Sequence, residues 1–191
     1  MGNRTGMQGE WRRIGLVILA TLCVAAALVA MTVGAGGSSG DHHRLRATVE
    51  LVDSSGERVG TAKLVEQRDQ ARVRVHVHVR AMTPGRHGIH VHNVASCSSA
   101  TASFSGAGSH HNPAAVTHGS HAGDLPNLRV NRAGFGHLHA TTDRLTLSAG
   151  AHSVFDADGS ALVIHAAEDD LVTDPTGNSV ARVACGVITA N

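Results

Sequence analysis

An all-β domain built from antiparallel strands is the fold class that this sequence predicts. Alternating apolar and polar residues recur along the chain, and turn signals such as Thr83-Pro84-Gly85 separate them. No long helical pattern follows the first 40 residues. Several short strands with frequent turns are typical of a β-sandwich or barrel. The chain of 191 residues is long enough for one such domain with a buried core.

The first 40 residues predict a targeting segment ahead of a domain at residues 41–191. Three arginines precede an uncharged apolar run over residues 14–34. This order suits a secretory signal peptide cleaved after Ala35, yet the run is also nearly long enough for an uncleaved membrane anchor. In both cases the domain is extracytoplasmic: periplasmic, bound to the cell envelope or secreted. Only an uncleaved segment would attach it to a membrane.

The alternating pattern predicts the individual strands in order. The early strands cover residues 44–51, 59–65 and 71–80, and Ile89 and Val91 mark the next. Shorter strands follow at residues 128–130, 140–147, 161–165 and 183–188. Between these two groups, residues 96–126 are rich in Ser, Gly, Ala and His and lack periodicity. A loop of this length in a compact domain is usually functional, and we expect a bound metal to order it.

Histidine sets this composition apart, with 15 in the chain. The 16 basic and 15 acidic residues leave a formal net charge of +1, and no basic stripe indicates a nucleic-acid partner. The sequence holds three H-x-H pairs: His76/His78, His90/His92 and His137/His139. On a strand, both members of such a pair share a face. We interpret the first and third pairs as polar residues of a solvated face. The second can present two imidazoles to one copper or zinc ion.

The long loop holds a second candidate metal-binding set. Its members, which fall within 15 positions, are His110, His118, His121 and Asp124. Three imidazoles and a carboxylate form the donor set that a closed tetrahedral zinc site accepts. A histidine-rich loop that is simply polar and disordered is the alternative.

Two cysteines, Cys97 and Cys185, lie in the exported part of the chain, apart from Cys23 in the apolar run. An even number of cysteines in an oxidising compartment indicates a disulfide. Two free buried thiols are the alternative.

Several spaced motifs resemble the copper,zinc superoxide dismutase family in its bacterial exported form. They are H-V-H at residues 90–92, H-H-N-P from His110, H-G-S-H-A-G-D-L from His118, and A-L-V-I-H ending at His165. The tail T-G-N-S-V-A-R-V-A-C-G-V-I at residues 176–188 resembles the C-terminal signature of the family. The resemblance implies a Greek-key antiparallel β-sandwich or flattened barrel of about eight strands with long metal-binding loops.

The resemblance also implies roles for individual residues. The copper ligands would be His90, His92, His110 and His165. The zinc ligands would be His110, His118, His121 and Asp124, with His110 shared by both ions. Asp169 would link one copper-bound and one zinc-bound histidine, His90 and His118. Arg182 would guide the substrate over the copper, and Cys97 and Cys185 would form the family disulfide.

The activity implied by the resemblance is dismutation of superoxide to oxygen and hydrogen peroxide. Superoxide would be the small-molecule partner, and a homodimer is an assembly that the resemblance leaves open. The alternative function is a non-catalytic extracytoplasmic buffer for copper and zinc on the same scaffold. The departures from the family pattern include three features: His118 and His121 are only three residues apart, His111 stands where the family usually has an aromatic residue, and Val180 stands where glycine is common. We expect a surface or packing role for His111.

Overall fold

The computed structural model describes residues 44–99 and 103–191, and the predicted signal or anchor segment at residues 1–40 lies outside the described residues. The described part contains one short 3-10 helix, Ser105–Ala107, and ten strands. The strands are β1 (Arg44–Asp53), β2 (Arg58–Gln67), β3 (Arg72–Val79), β4 (Gly85–His87), β5 (Ile89–His92), β6 (Leu128–Val130), β7 (Gly136–Thr142), β8 (Ala161–His165), β9 (Arg182–Val187) and β10 (Thr189–Ala190). The all-β prediction is confirmed. Across the described ranges, no helix has the length and apolar character needed to cross a membrane.

The strands form one antiparallel sheet that curls into a nearly closed barrel. Its order is β4-β6-β7-β3-β2-β1-β9-β8-β5, and β10 pairs with β1. The end strands β4 and β5 are consecutive in the chain and separated only by Gly88, so one segment supplies both edges of the sheet. β9 returns beside β1 after β1, β2 and β3 have paired in sequence, which is a connection of the Greek-key type.

Alternating residues fill the barrel with aliphatic side chains. On β3 the four valines at 73, 75, 77 and 79 are buried, while the residues between them face outward. β8 is buried at all five positions. Its second face is covered by a smaller cluster in which Ala161 and Val163 pack against Phe104, Ala107 and Cys185. The long loop therefore shields the strand that ends at His165.

β7 differs from the predicted strand at residues 140–147. Leu145 and Leu147 continue the alternating apolar pattern of the sequence, and both are buried. They lie, however, in the loop after β7, which ends at Thr142. The N–H groups of Leu147 and Ser148 both donate to the buried carboxylate of Glu66 at 2.6 Å rather than to a neighbouring strand. A buried carboxylate thus replaces the strand ladder at this point.

Protein contacts hold the long loop against the barrel. His111 N–H donates to the Val91 carbonyl at 2.8 Å, and Val91 N–H donates to the Gly123 carbonyl at 2.9 Å. The predicted disulfide between Cys97 and Cys185 is confirmed and ties the start of the loop to β9. The loop, which we expected to depend on metal for its order, is therefore also fixed by main-chain hydrogen bonds and a covalent link.

Candidate metal centre

The structure brings the predicted ligands together as two buried clusters. The first cluster, which we call the four-histidine cluster, consists of His90, His92, His110 and His165. The second, which we call the loop cluster, consists of His110, His118, His121 and Asp124. Within each cluster the candidate ligand atoms all lie within 4.8 Å of one another.

Four imidazole nitrogens of the four-histidine cluster lack hydrogen-bond partners although they are fully buried. They are Nδ1 of His90 and Nε2 of His92, His110 and His165. A buried polar atom without a partner is costly, and native proteins contain few of them. Four such nitrogens converging on one point are explained if they bind a common ion. Imidazole donors suit copper and zinc, so these residues fit the copper site that the resemblance implies.

The other ring nitrogen of three of these histidines is held by a hydrogen bond. His90 Nε2 donates to the Asp169 carboxylate at 2.6 Å, and His92 Nδ1 donates to the Gly108 carbonyl at 3.0 Å. His165 Nδ1 donates to the Val180 carbonyl at 3.2 Å. Because each acceptor fixes the proton on one nitrogen, the opposite nitrogen keeps its lone pair for an ion.

The loop cluster has the dimensions of a tetrahedral zinc site. Zinc bonds of about 2.0 Å place tetrahedral ligand atoms roughly 3.3 Å apart. The Asp124 carboxylate lies 3.0 Å from His110 Nδ1, 3.3 Å from His121 Nδ1 and 3.5 Å from His118 Nδ1. His110 Nδ1 and His121 Nδ1 are 3.4 Å apart. The donor set and its spacing therefore fit zinc.

His110 belongs to both clusters through different atoms. Its Nδ1 faces Asp124 and His121, whereas its Nε2 is one of the four unpartnered nitrogens of the four-histidine cluster. Its ring stacks on that of His90, with centroids 3.9 Å apart. One imidazole can thus bind two ions when both of its nitrogens are deprotonated.

Asp169 links the two clusters through hydrogen bonds with one histidine of each. One carboxylate oxygen accepts the hydrogen bond from His90, and the other accepts one from His118 Nε2 at 2.8 Å. Asn127 holds the main chain of Asp169 in turn, because its side-chain amide bonds both the carbonyl and the N–H of Asp169 at 2.9 Å. Gly177 packs so closely on the Asp169 carboxylate and the His118 ring that a side chain would collide with both.

The short spacing between His118 and His121 is accommodated by a tight turn. Gly119 adopts a φ of +84°, a left-handed conformation that glycine tolerates best. Asp124 closes the turn, since its Oδ2 accepts the N–H groups of Gly119 at 2.8 Å and His121 at 3.1 Å. The guanidinium of Arg144 donates to the carbonyls of Gly119 and Asp124 at 2.9 and 2.8 Å. Arg144 thus positions the loop cluster.

Sequence reasoning missed Arg144 and Asn127. Both act on main-chain groups far away in the sequence, so no local spacing reveals them. The only sequence signal is a polar residue next to a buried position, and that signal is common on any protein surface.

Arg182 lies beside the four-histidine cluster, since Arg182 and His92 both donate to the Gly108 carbonyl. Desolvation is the main cause of the lowered pKa of His92 and His165, and the charge of Arg182 adds to it. Its guanidinium donates to the carbonyls of Phe104 at 2.7 Å and Gly108 at 2.5 Å. It lines a shallow depression together with residues of the loop and of the turn before β9: Ser103, Ser105, Val180 and Ala181. The arrangement holds a half-buried positive charge in place at the mouth of the cluster.

Burial keeps the imidazoles of His92, His110 and His165 neutral. Desolvation lowers the pKa of His110 from 6.5 to about 4, although the hydrogen bond with Asp124 acts in the opposite direction. Desolvation and the neighbouring His90 lower the pKa of His165 to about 3. Burial raises the pKa of Asp169, but its hydrogen bonds from His90 and His118 outweigh this and bring it well below 3.8. Neutral imidazoles are the form that binds metal, and an ionised Asp169 is the form that accepts the hydrogen bonds of His90 and His118.

Three further residues, His87, His111 and Val180, lie outside both clusters. His87 is buried with both ring nitrogens 2.8 Å from carbonyl oxygens, those of Thr83 and His165, and lies outside both clusters. His111, predicted to have a surface or packing role, is buried next to the loop cluster. Val180 has a φ of +53°, which explains why glycine suits this position.

A nearly closed antiparallel barrel with two histidine clusters that share one imidazole defines a metalloprotein able to bind two ions. The profile of the family described as "Copper/zinc superoxide dismutase (SODC)" matches residues 58–188. The chain belongs to this family, whose members use copper and zinc.

Curated relatives carry two kinds of name. The chain is 35% identical over 152 residues to "Superoxide dismutase [Cu-Zn] 2" of Aquifex aeolicus, covering 75% of this chain and 86% of that one. It is equally 35% identical over 151 residues to "Superoxide dismutase-like protein YojM" of Bacillus subtilis, covering 75% and 76%. Family membership is therefore shared by proteins named as dismutases and by a dismutase-like protein.

Solved structures agree with the fold. A crystal structure of a SOD-like protein from Bacillus subtilis matches with a TM-score of 0.68 and 34% identity, over 73% of this chain and 96% of that one. Cu/Zn superoxide dismutase from Brucella abortus matches with a TM-score of 0.62 and 27% identity, over 74% and 98%.

Proposed function

We propose that this protein dismutates superoxide to oxygen and hydrogen peroxide, with copper bound by the four-histidine cluster and zinc by the loop cluster. The convergence of four buried, unpartnered imidazole nitrogens beside a fixed arginine carries this proposal. A protein that only stores metal needs a ligand set, but it does not need an anion-attracting charge at the mouth of that set.

Bound copper supplies one-electron chemistry, in which one superoxide is oxidised to oxygen and a second, taking up two protons, is reduced to hydrogen peroxide. Arg182 attracts the small anion and orients it above the cluster, because its guanidinium is fixed by two carbonyls. His110 Nε2 is buried and free of other partners, so it can hold and release one of the two protons. Asp169 keeps His90 and His118 in one tautomer and orientation.

We place the working protein outside the cytoplasm, with residues 1–40 acting as a cleaved signal or as an anchor that begins at residue 14. The disulfide between Cys97 and Cys185 supports this location, because such bonds persist in oxidising compartments. Fractionation of cells, with N-terminal sequencing of the recovered protein, distinguishes cleavage after Ala35 from a retained membrane segment.

The dismutase proposal is tested by measuring superoxide decay with the purified full chain in three forms: metal-free, copper-loaded, and loaded with copper and zinc. Metals are counted on the same samples. We expect fast turnover with one copper and one zinc per chain and none in the metal-free form. Turnover with copper alone would keep the activity but reject the loop cluster as a zinc site.

Full copper occupancy without turnover would reject the dismutase and leave the metal buffer as the function. His165→Ala should abolish turnover. His152→Ala is its control, since His152 is exposed and outside both clusters.

A further inference from the structure

Four histidines on the outside of the barrel form a group that the dismutase chemistry does not use. This surface histidine cluster consists of His76 and His78 on β3 and His137 and His139 on β7. The antiparallel register places His76 opposite His139 and His78 opposite His137. The alternate residues, such as Val77 and Leu138, point into the core. All four imidazoles therefore project from one face of two adjacent strands.

His139 lies at the centre of this group. Its ring centroid is 4.5 Å from that of His76, 5.9 Å from that of His137 and 6.1 Å from that of His78. Two imidazoles bound to one ion through bonds of about 2.0 Å have centroids roughly 4–6 Å apart. In the four-histidine cluster of this chain the corresponding separations run from 3.9 Å for His90 and His110 to 6.4 Å for His90 and His92. The centroid distances of the two groups therefore overlap. The surface rings must still turn before three of their nitrogens converge on one ion, as the ligand atoms of the buried clusters already do.

The surface imidazoles are free to turn towards a ligand. Within the described residues, no hydrogen bond or ion pair engages their ring nitrogens, unlike those of His90 or His118. His78, His137 and His139 are exposed, and His76 is half-buried. Water can therefore be exchanged for an ion without breaking an existing contact, and exposed side chains reorient readily.

The surroundings set the kind of ligand and the strength of binding. Lys63 pairs with His76 across β2 and β3, Arg129 pairs with His137, and Arg74 lies on the same face of β3 as His76. These three cations oppose the approach of a further positive charge, so binding must come from strong donor bonds rather than from net charge. Neutral imidazole gives such bonds to first-row divalent ions, and most strongly to Cu²⁺.

We propose that the surface histidine cluster is a third metal site, which binds a first-row divalent ion, with Cu²⁺ preferred over Zn²⁺, through His139 and its neighbours. Binding is weaker than in the buried clusters, because the surface ligands have no partners that fix their orientation and because cations surround them. The site does not depend on the dismutase proposal, since none of its residues belongs to the buried clusters.

The test starts from the full chain with its buried clusters already filled with copper and zinc. The protein is titrated with CuCl2 by calorimetry, and bound metals are counted after equilibrium dialysis. We expect one additional copper per chain, which the competitor glycine removes while the copper and zinc of the buried clusters stay bound. His139→Asn should weaken this extra binding at least tenfold, because His139 lies at the centre of the cluster. His78→Asn should weaken it less, because the His78 ring lies at the edge of the cluster, 6.1 Å from that of His139.

Two controls keep the result decisive. His152→Asn removes an exposed histidine elsewhere and should leave the third equivalent intact. The quadruple His→Asn variant of the cluster should bind no third copper while keeping the dismutase rate of the unchanged protein. A third copper that binds equally well in the quadruple variant would overturn the proposal, as would the absence of a third copper in the unchanged protein. Neither result bears on dismutation, which is measured separately.

Discussion

The buried four-histidine cluster and the surface histidine cluster begin from the same sequence pattern but differ in burial and in the hydrogen bonds that hold their rings. Each contains histidines two residues apart on a strand, and in each the ring centroids lie a few ångström apart. In the buried cluster, Asp169 and main-chain carbonyls fix three of the rings, and the free nitrogens are shielded from water. The surface cluster has neither feature. Burial and second hydrogen-bond partners, rather than the H-x-H pattern, distinguish the proposed reactive site from the proposed surface site.

The largest expected effect is that acid lowers the free energy of unfolding of the metal-free protein through its buried histidines. The pKa values of His92, His110 and His165 lie far below 6.5 in the folded chain, mainly because of desolvation. The unfolded chain therefore binds more protons below pH 6.5, so the free energy of unfolding is largest above that pH and falls as the pH decreases towards about 4. Each such group contributes a loss of about 1.4 kcal/mol per pH unit in this window.

Urea unfolding of the metal-free protein at pH 7.5, 6 and 5 measures this loss. His165→Gln should make the dependence shallower, because it removes one of the imidazoles whose pKa burial lowers. Equal slopes in His165→Gln and the unchanged protein would contradict the role given to burial.

Removing the shared support of the buried clusters should have the next largest effect. Asp169→Asn replaces a carboxylate that accepts hydrogen bonds from His90 and His118 with an amide that can satisfy only one of them. We expect affinity for both buried ions to fall by roughly 10- to 100-fold, while the surface cluster keeps its copper. Competition with chelators of graded strength measures each affinity. Glu168→Gln, at the neighbouring exposed position, is the matched control and should bind metal normally.

Loss of the fixed positive charge should lower activity without changing metal content. Arg182→Ala is expected to reduce the second-order rate with superoxide by about tenfold and to flatten its dependence on ionic strength, since electrostatic steering is screened by salt. Arg86→Ala removes an exposed arginine that pairs with Glu168 and should change neither property. A normal rate and salt dependence in Arg182→Ala would show that steering comes from elsewhere.

The smallest expected effect concerns the backbone that supports His165. Val180 is a β-branched residue at a φ of +53°, and its carbonyl accepts the hydrogen bond of His165 Nδ1. Val180→Gly should relieve this strain and raise the free energy of unfolding by about 1 kcal/mol, with activity retained. Val172→Gly, at a more exposed valine, provides no such relief and should lower stability slightly. Thermal unfolding of the two variants measures both effects. A gain in stability in Val180→Gly alone supports relief of strain, whereas equal changes in both variants indicate a general effect of glycine.

Periodicity predicted the fold class because strands repeat every two residues. It found β8 at residues 161–165 to the residue, and it failed at β7, where the buried Leu145 and Leu147 lie in a loop held by Glu66. Ligand chemistry and the resemblance to a known family predicted the residues of the four-histidine cluster and of the loop cluster. Neither could reveal Arg144 or Asn127, because their contacts are with main-chain atoms whose positions exist only after folding.

The difference between the two clusters is tested most directly by two matched substitutions measured side by side. His165→Ala and His139→Asn each remove one histidine from a group of four, and superoxide decay is followed for both after copper and zinc loading. We predict that His165→Ala abolishes turnover with zinc still bound, and that His139→Asn keeps the full rate. Equal rates in the two variants, or loss of activity only in His139→Asn, would contradict the assignment of the chemistry to the buried cluster.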